Sequence, residues 1–372
     1  MNIYWCTTRH FQRDLCATTQ VAIIKKFISS GHSITVLGPD MPQSDHEWEH
    51  IQIGQSTIRG RKASSLAKNI REHIDGKVAE HDILFVDWPM VGVIAPFAEK
   101  NNIRWLCIDR SPPADANIYA KLQNHFWKKA WNMVGSSIRK NGTCIGGMVV
   151  SRAHKKLVLD WFPMDEKRIC VVHAGFDNSI FKHQEHKNGQ SVGLVYHGKM
   201  DRNRGILKLV LLLDALIERG INARLNLIGS GDLDAHLHNL SSSNNALTFH
   251  GLVPHEQIPT LLQMNTIGLL PMPELPTWKI ASPLKRSEYL GSGLLVLGID
   301  HAGHQLPINL KDANWYSLFE QQSFVADSVN QIENWIQNGR ISQLSKQARL
   351  YAETYLDWNI TTQPLLQWLE NL

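Results

Sequence analysis

Apolar runs of strand length alternate with helix-length segments along nearly the whole of this 372-residue chain, and the alternation starts twice. A parallel pair of strands needs a connection long enough to hold a helix, so such alternation points to parallel sheets with helices on both faces. Ile3 to Cys6 reads as a first strand, Thr18 to Ser30 as a helix ended by Gly31, and Ser33 to Leu37 as a second strand. Helices are expected at Leu66 to His73, Lys77 to Glu80 and Val91 to Lys100, and strands at Ile83 to Val86 and Arg104 to Ile108. A long helix, Tyr119 to Arg139, precedes the strand ending at Val150, a helix capped by Ser151, and the strand Ile169 to Val172.

Lys182 to Ser191 is polar throughout and carries no periodic apolar residue, which marks a linker. The pattern then restarts with Val192 to Tyr196, a loop from His197 to Gly205, the helix Ile206 to Arg219 and the strand Arg224 to Ile228. The length suits two domains, placed at 1–182 and 190–357, with a terminal segment 358–372.

The stretch Ser282 to Gly293 feeds the apolar run Leu294 to Leu297. Ser282 suits a helix cap, Pro283 the first helical position, and the glycines at 291 and 293 the stop. Lys285 and Glu288, three apart, share one face of that helix. An ammonium neutralises phosphate charge and a carboxylate accepts hydrogen bonds from a vicinal diol, so the pair suits a ribose and its phosphates. A capped surface helix with an i,i+3 ion pair carries the same residues. Lys199 and Arg204 stand in the loop after the first strand of the second half, and in a doubly wound sheet that loop faces the crevice beside Lys285. Three cations there fit a diphosphate; a solvated charged loop is the plainer account.

Other features narrow the class. Gly229-Ser230-Gly231 follows a strand, but the dinucleotide fingerprint needs a third glycine where Asp234 stands, which argues against an oxidoreductase. Asp232 and Asp234 read as carboxylates at a helix start rather than a metal pair. His236 and His238 are two apart and point to different sides of a helix. Five scattered cysteines without Cys-x-x-Cys suit reduced thiols, and a net charge of +4 is too small for a nucleic-acid binder. No apolar run reaches bilayer length, and the start reads as a strand rather than a leader, so a cytoplasmic protein is expected. Leu122, Phe126, Ala130, Val134 and Ile138 share a helical face, with Lys121, Lys128, Lys129, Arg139 and Lys140 around it and Trp127 and Trp131 at its flank. That pattern suits an anionic membrane surface; a helix packed on its own domain has the same pattern.

Asp109 and Arg110 follow the strand Arg104 to Ile108, where side chains project into the crevice of such a sheet. A carboxylate there suits orienting an acceptor hydroxyl, and the arginine suits holding a phosphate, with Pro112 and Pro113 stiffening the loop. An internal Asp-Arg ion pair is the other account.

Taken together, the chain resembles retaining glycosyltransferases of family 4. The resemblance runs through Gly31 to Leu37, Val150-Ser151, Gly175-Phe176-Asp177 to Phe181, Tyr196 to Gly205, Ile228 to Gly231, Phe249 to Val253 and the Ser282 stretch. It implies the GT-B fold, two Rossmann-like doubly wound domains facing across a cleft, with the segment after Trp358 crossing back to the first. It implies a nucleotide-diphosphate sugar as donor and a glycan or lipid-linked acceptor, with no metal or other cofactor required. It implies that Lys199 and Arg204 hold the diphosphate beside Lys285, that Glu288 holds the ribose, and that the loop Gly251 to Pro254, Val253 included, meets the base; where the family often has a histidine at the end of the first-domain strand, this chain has Asp109-Arg110. The family's Glu, seven residues, Glu pattern would put its first acid at Ile280, so the donor sugar's carboxylate is absent or comes from elsewhere, such as Glu274. A nucleotide-sugar 2-epimerase of the same fold and a non-catalytic binding protein are the rival readings.

Overall fold

The structure, a computed structural model, describes residues 1–11, 17–40, 47–58, 60–110, 118–185 and 191–371, with side chains in the helix from Ile118 described from 122 onward. The expected roles of Pro112, Pro113 and the Lys121 side chain, and the middle of the polar linker, lie outside these residues. Two compact units form: Met1–His173 together with Thr362–Leu372, and Ala174–Thr361.

The first unit holds a seven-stranded sheet of β1 (Asn2–Cys6), β2 (Ser33–Gly38), β3 (Glu49–Gln52), β4 (Ile83–Asp87), β5 (Arg104–Asp109), β6 (Cys144–Val149) and β7 (Ile169–Val171). Their order is β3-β2-β1-β4-β5-β6-β7, all parallel. Trp5 lies beside Val36 on one side and Phe85 on the other. Strands covered on both faces are apolar throughout, and every residue of β4 and β6 is buried. One face packs Ile94, Trp105, Trp131 and Val134; the other packs Ile23, Phe27, Phe85 and Leu106. The terminal helix Gln363–Glu370 adds Leu365, Leu366 and Leu369 to the second of these cores, and Trp368 Nε1 donates to the Lys167 carbonyl at 2.7 Å.

The second unit holds β8 (Val192–His197), β9 (Ala223–Ile228), β10 (Leu247–Gly251), β11 (Ile267–Leu270), β12 (Leu295–Ile299) and β13 (Tyr316–Phe319), in the order β10-β9-β8-β11-β12-β13 and again all parallel. The units divide at 173/174, ahead of the polar stretch, because Phe176 and Phe181 are buried in the second unit's core and Phe176 bridges to Asp357.

Three local expectations differ from the structure. The edge strands β3 and β13 were not anticipated: Glu-His-Ile-Gln and Tyr-Ser-Leu-Phe pair on one side only and are partly exposed, so neither needs an apolar run. Lys77 to Glu80 is not helical, since Gly76 adopts φ 71° and ends the helix Lys62–Ile74. Trp127 and Trp131 do not flank an exposed face but are buried, while Leu122 and Phe126 of the same helix are exposed.

In each sheet the strand order runs one way from the first strand and then the other, reversing between β1 and β4 and between β8 and β11. Ligands of doubly wound sheets bind beyond the carboxyl ends of the strands at such a reversal.

Candidate functional site

At the reversal in the second unit, β8 ends in Tyr196-His197 and runs into Gly198 with φ 131°. Gly198 lies against its neighbours: its N–H donates to the Ile228 carbonyl at 2.8 Å, and a Cβ on Gly229 would fall 1.8 Å from the Gly198 oxygen. Only glycine at 229, itself at φ 134°, lets the two loops meet. Further on, Gly205 takes φ 75°, and a Cβ there would come within 2.2 Å of the Pro271 carbonyl at the end of β11. The loop carrying Arg204 is thereby pinned over the reversal.

The helix Leu284–Gly291 delivers the charged side chains. Ser282 does not cap it: Pro283 is the capping residue and makes no side-chain bond. Ser282 Oγ instead accepts from the Ala174 N–H at 3.0 Å and from Arg286 at 3.3 Å, because the buried guanidinium draws it inward. Arg286 also donates to the Gln305 carbonyl at 2.6 Å and so ties the helix to the loop after β12.

Lys285 is 9% exposed and its Nζ lies 4.7 Å from the centre of the Tyr196 ring. A Cβ on Gly198 would stand 3.2 Å from that Nζ, so the ammonium lies against bare backbone. Burial pushes the Lys285 ammonium down to about 7, with the nearby Arg204 guanidinium adding to the fall and Glu288 opposing it. Arg204 contacts Asp201 Oδ2 at 3.4 Å and rests over the Trp278 ring at 4.6 Å. Lys199 is exposed, its carbonyl accepting from the Tyr196 hydroxyl at 3.1 Å.

Glu288 is 2% exposed and meets two imidazoles, His197 Nε2 at 3.0 Å and His255 Nε2 at 3.8 Å. Burial alone would raise its carboxyl, but the two histidines outweigh it and hold the group down to about 2. The same contact raises the His255 imidazole against the lowering effect of burial. Gly251, at φ 65°, accepts from the Gly229 N–H at 2.8 Å, and Val253 packs against the core, so the segment that ends in His255 is anchored beside Glu288.

The structure thus brings together Lys285, Arg204 and Glu288, with the loop of Gly251 and Val253 joined through His255. Tyr196, His197, His255, Trp278 and Arg286 were not anticipated, and among 18 histidines no sequence signal separates His197 and His255 from the rest. Ile280 follows the short helix Pro276–Lys279, and Glu274 is paired with Lys279 at 2.6 Å. Asp232 and Asp234 accept backbone N–H groups, from Arg202 at 2.9 Å and Gly231 at 2.7 Å. Among the described residues, no group of three or more His, Cys, Asp or Glu is placed to hold a metal ion.

In the first unit Asp109 is 0% exposed and does not project into an open crevice. Its Oδ2 accepts from Trp127 Nε1 at 2.5 Å and Trp131 Nε1 at 2.8 Å, and meets His154 Nε2 at 3.1 Å. Burial raises its carboxyl, yet His154 and the indole N–H groups bring it below the usual value. The long helix closes over Asp109 because both indole N–H groups need an acceptor once buried. Arg110 donates to the Val172 carbonyl at 3.0 Å. At the reversal itself stands Asp87, whose Oδ2 accepts from Thr7 Oγ1 at 3.0 Å, the Thr8 N–H at 2.8 Å and Thr8 Oγ1 at 3.1 Å, with Gln20 Nε2 on Oδ1 at 3.1 Å.

No family model matches the chain, and no curated protein does. Solved structures do. Sucrose-phosphate synthase from Thermosynechococcus elongatus is similar over 100% of this chain and 98% of its own, at 13% identity and a TM-score of 0.77. WaaG, a glycosyltransferase involved in lipopolysaccharide biosynthesis, is similar over 96% of this chain and 97% of its own, at 13% identity and a TM-score of 0.69. The fold is GT-B. HepE of Anabaena, solved in complex with UDP-glucose, matches this GT-B chain over 100% of both chains at 13% identity, with a TM-score of 0.71.

Two outcomes follow from the buried charges. Lys285 binds its proton more weakly folded than unfolded, so its charge opposes folding below pH 7, and that penalty fades as pH rises from about 7 toward its unfolded value. Lys285→Met is therefore expected to raise the melting temperature of the ligand-free protein at pH 6.5, with the gain shrinking by pH 9; thermal scans at the two pH values check this. Asp109→Asn removes one partner of a buried pair and is expected to cost about 3 kcal/mol of stability, read by urea unfolding.

Proposed function

We propose that this chain is a glycosyltransferase that moves a hexose from a nucleoside diphosphate sugar to a glycan or lipid-linked acceptor, with retention of anomeric configuration. The observation that carries the reading is the convergence of Lys285, Arg204 and Glu288 at the strand-order reversal of the second sheet. Lys285 and Arg204 take the diphosphate, Lys199 joins them from its exposed position, and Glu288 accepts from the ribose hydroxyls. The neighbours named above include one solved with UDP-glucose, which supports a nucleotide sugar as donor.

The reaction breaks the bond between the anomeric carbon and the β-phosphate oxygen, and the electron pair leaves with the diphosphate. Lys285 and Arg204 face the charge that develops there, which is stronger in the transition state than in the bound donor. The acceptor oxygen forms the new bond to the anomeric carbon, and its proton goes to the departing phosphate oxygen. Ile280 at the position of the family's first carboxylate favours a second reading, a protein that binds nucleotide sugars without transferring them. Release of nucleoside diphosphate only when acceptor is present supports transfer and separates it both from a 2-epimerase, whose product is again a nucleotide sugar, and from a binding protein.

The acceptor side also supports work at a membrane surface. Leu122 and Phe126, one helical turn apart, are 55% and 51% exposed, and Trp161 is 54% exposed beneath Lys128, whose Nζ lies 3.3 Å from the ring centre. No helix among the described residues is long and apolar enough to cross a membrane. Such side chains sit at the headgroup boundary while the lysines meet anionic lipid.

Glu288→Ala is expected to weaken binding of the donor roughly tenfold to a hundredfold, since a lost charge-assisted bond in a dry site costs about 1.5 to 3 kcal/mol; calorimetric titration reads it. For the unaltered protein, affinity for the diphosphate should fall as pH rises above about 7, where Lys285 loses its proton. In flotation with acidic liposomes the protein should rise at low salt and stay down at high salt, and the double change Leu122→Glu, Phe126→Glu should keep it down in both.

A further inference from the structure

Two cations of the donor site lie over aromatic rings, Lys285 over Tyr196 and Arg204 over Trp278. Trp278 belongs to the short helix Pro276–Lys279 in the loop after β11, where its ring packs against the second unit's core. Its backbone is fixed from two sides. The Trp278 N–H donates to the Leu275 carbonyl at 2.9 Å, and the Trp278 carbonyl is so near Gly303 that a Cβ there would stand 1.9 Å away. Arg204 also meets the buried Tyr196 hydroxyl in a side-chain hydrogen bond, which holds one end of the guanidinium but not its plane. It ends a short turn, Arg202–Arg204, and its ion pair to Asp201 at 3.4 Å is partly exposed to solvent, a kind of contact worth little. A guanidinium is planar, so a ring face 4.6 Å away fixes its plane as well as its position.

Resting on the donor-site reading above, we propose that Trp278 is a positioning residue that holds Arg204 flat and ready for the donor's diphosphate. The role has added weight in this chain because the side chain of Ile280 offers the donor sugar no carboxylate, which leaves more of the donor's hold to the diphosphate.

The test is titration of UDP, GDP and ADP, each beside its monophosphate, into the full chain. With whichever diphosphate binds, Trp278→Leu is expected to weaken the diphosphate about tenfold and leave the monophosphate unchanged, while Trp278→Phe, which keeps a ring, stays within about threefold of the unaltered protein. In an Arg204→Ala background Trp278→Leu should add no further loss. Trp278→Met, which fills similar volume, replaces the leucine variant if that one does not fold. Failure of every diphosphate to bind the unaltered protein overturns the nucleotide reading itself. If a diphosphate binds but the leucine or methionine variant binds it equally well, or loses as much in the Arg204→Ala background, only the role of Trp278 is overturned.

Discussion

The buried Lys285 and the half-buried Arg204 repel each other, and much of the second unit's local structure serves to keep them there. Repulsion between like charges grows as water is removed, and burial of Lys285 adds a desolvation cost of its own. What offsets this is visible: Glu288 one turn along the helix, Asp201 beside Arg204, and the faces of Tyr196 and Trp278. None of these neutralises both cations, so the two charges stand less than fully compensated and their cost to stability is not fully recovered.

The helix that presents Lys285 is buried from Lys285 to Gly291, although its sequence, Leu-Lys-Arg-Ser-Glu-Tyr-Leu-Gly, is that of a surface helix. Polar groups tolerate such burial only with partners, and the four that follow Lys285 each have one. Arg286 reaches the Gln305 carbonyl, Ser287 Oγ donates to the Ala174 carbonyl at 2.7 Å, Glu288 meets His197, and the Tyr289 hydroxyl accepts from the His197 N–H at 3.1 Å. On the far side a Cβ at Gly291 would fall 2.3 Å from Phe176. Ser282 is drawn into the same network instead of capping. A capped surface helix with an i,i+3 ion pair is thereby ruled out, and the placement of Lys285 and Glu288 is as rigid as the core around it.

The parallel architecture of both units was legible because doubly covered strands are written as uninterrupted apolar runs, as in Ile83 to Val86 or Leu294 to Leu297. Edge strands escape that logic, which is why β3 and β13 were missed. Lys285 and Glu288 were legible from helical spacing, and Arg204 from its loop. Their partners were not, since His197 and His255 reach Glu288 from β8 and from the loop after β10, contacts made only by the tertiary fold. Trp278 carried no signal either: an aromatic residue in a loop reads as core until the ring is seen beneath a guanidinium. Trp127 and Trp131 misled for the converse reason, because tryptophan suits a membrane boundary and a buried hydrogen bond alike.

Asp87 and Asp109 make the limit of sequence reading concrete. Both are carboxylates at the last position of a buried parallel strand, and both sit in sequence where a crevice-facing residue would. The strand order separates them. The first sheet reverses between β1 and β4, so Asp87 borders the reversal and spends its oxygens on Thr7, Thr8 and Gln20, which fixes the loop leaving β1. Asp109 ends β5, one strand away, and is enclosed by two indoles and an imidazole. Burial raises the Asp87 carboxyl despite Arg9 and its hydrogen bonds, whereas His154 carries Asp109 below its usual value. Two identical residues at equivalent strand ends thus differ in charge preference and in exposure to chemistry, and the difference lies in which strands became neighbours.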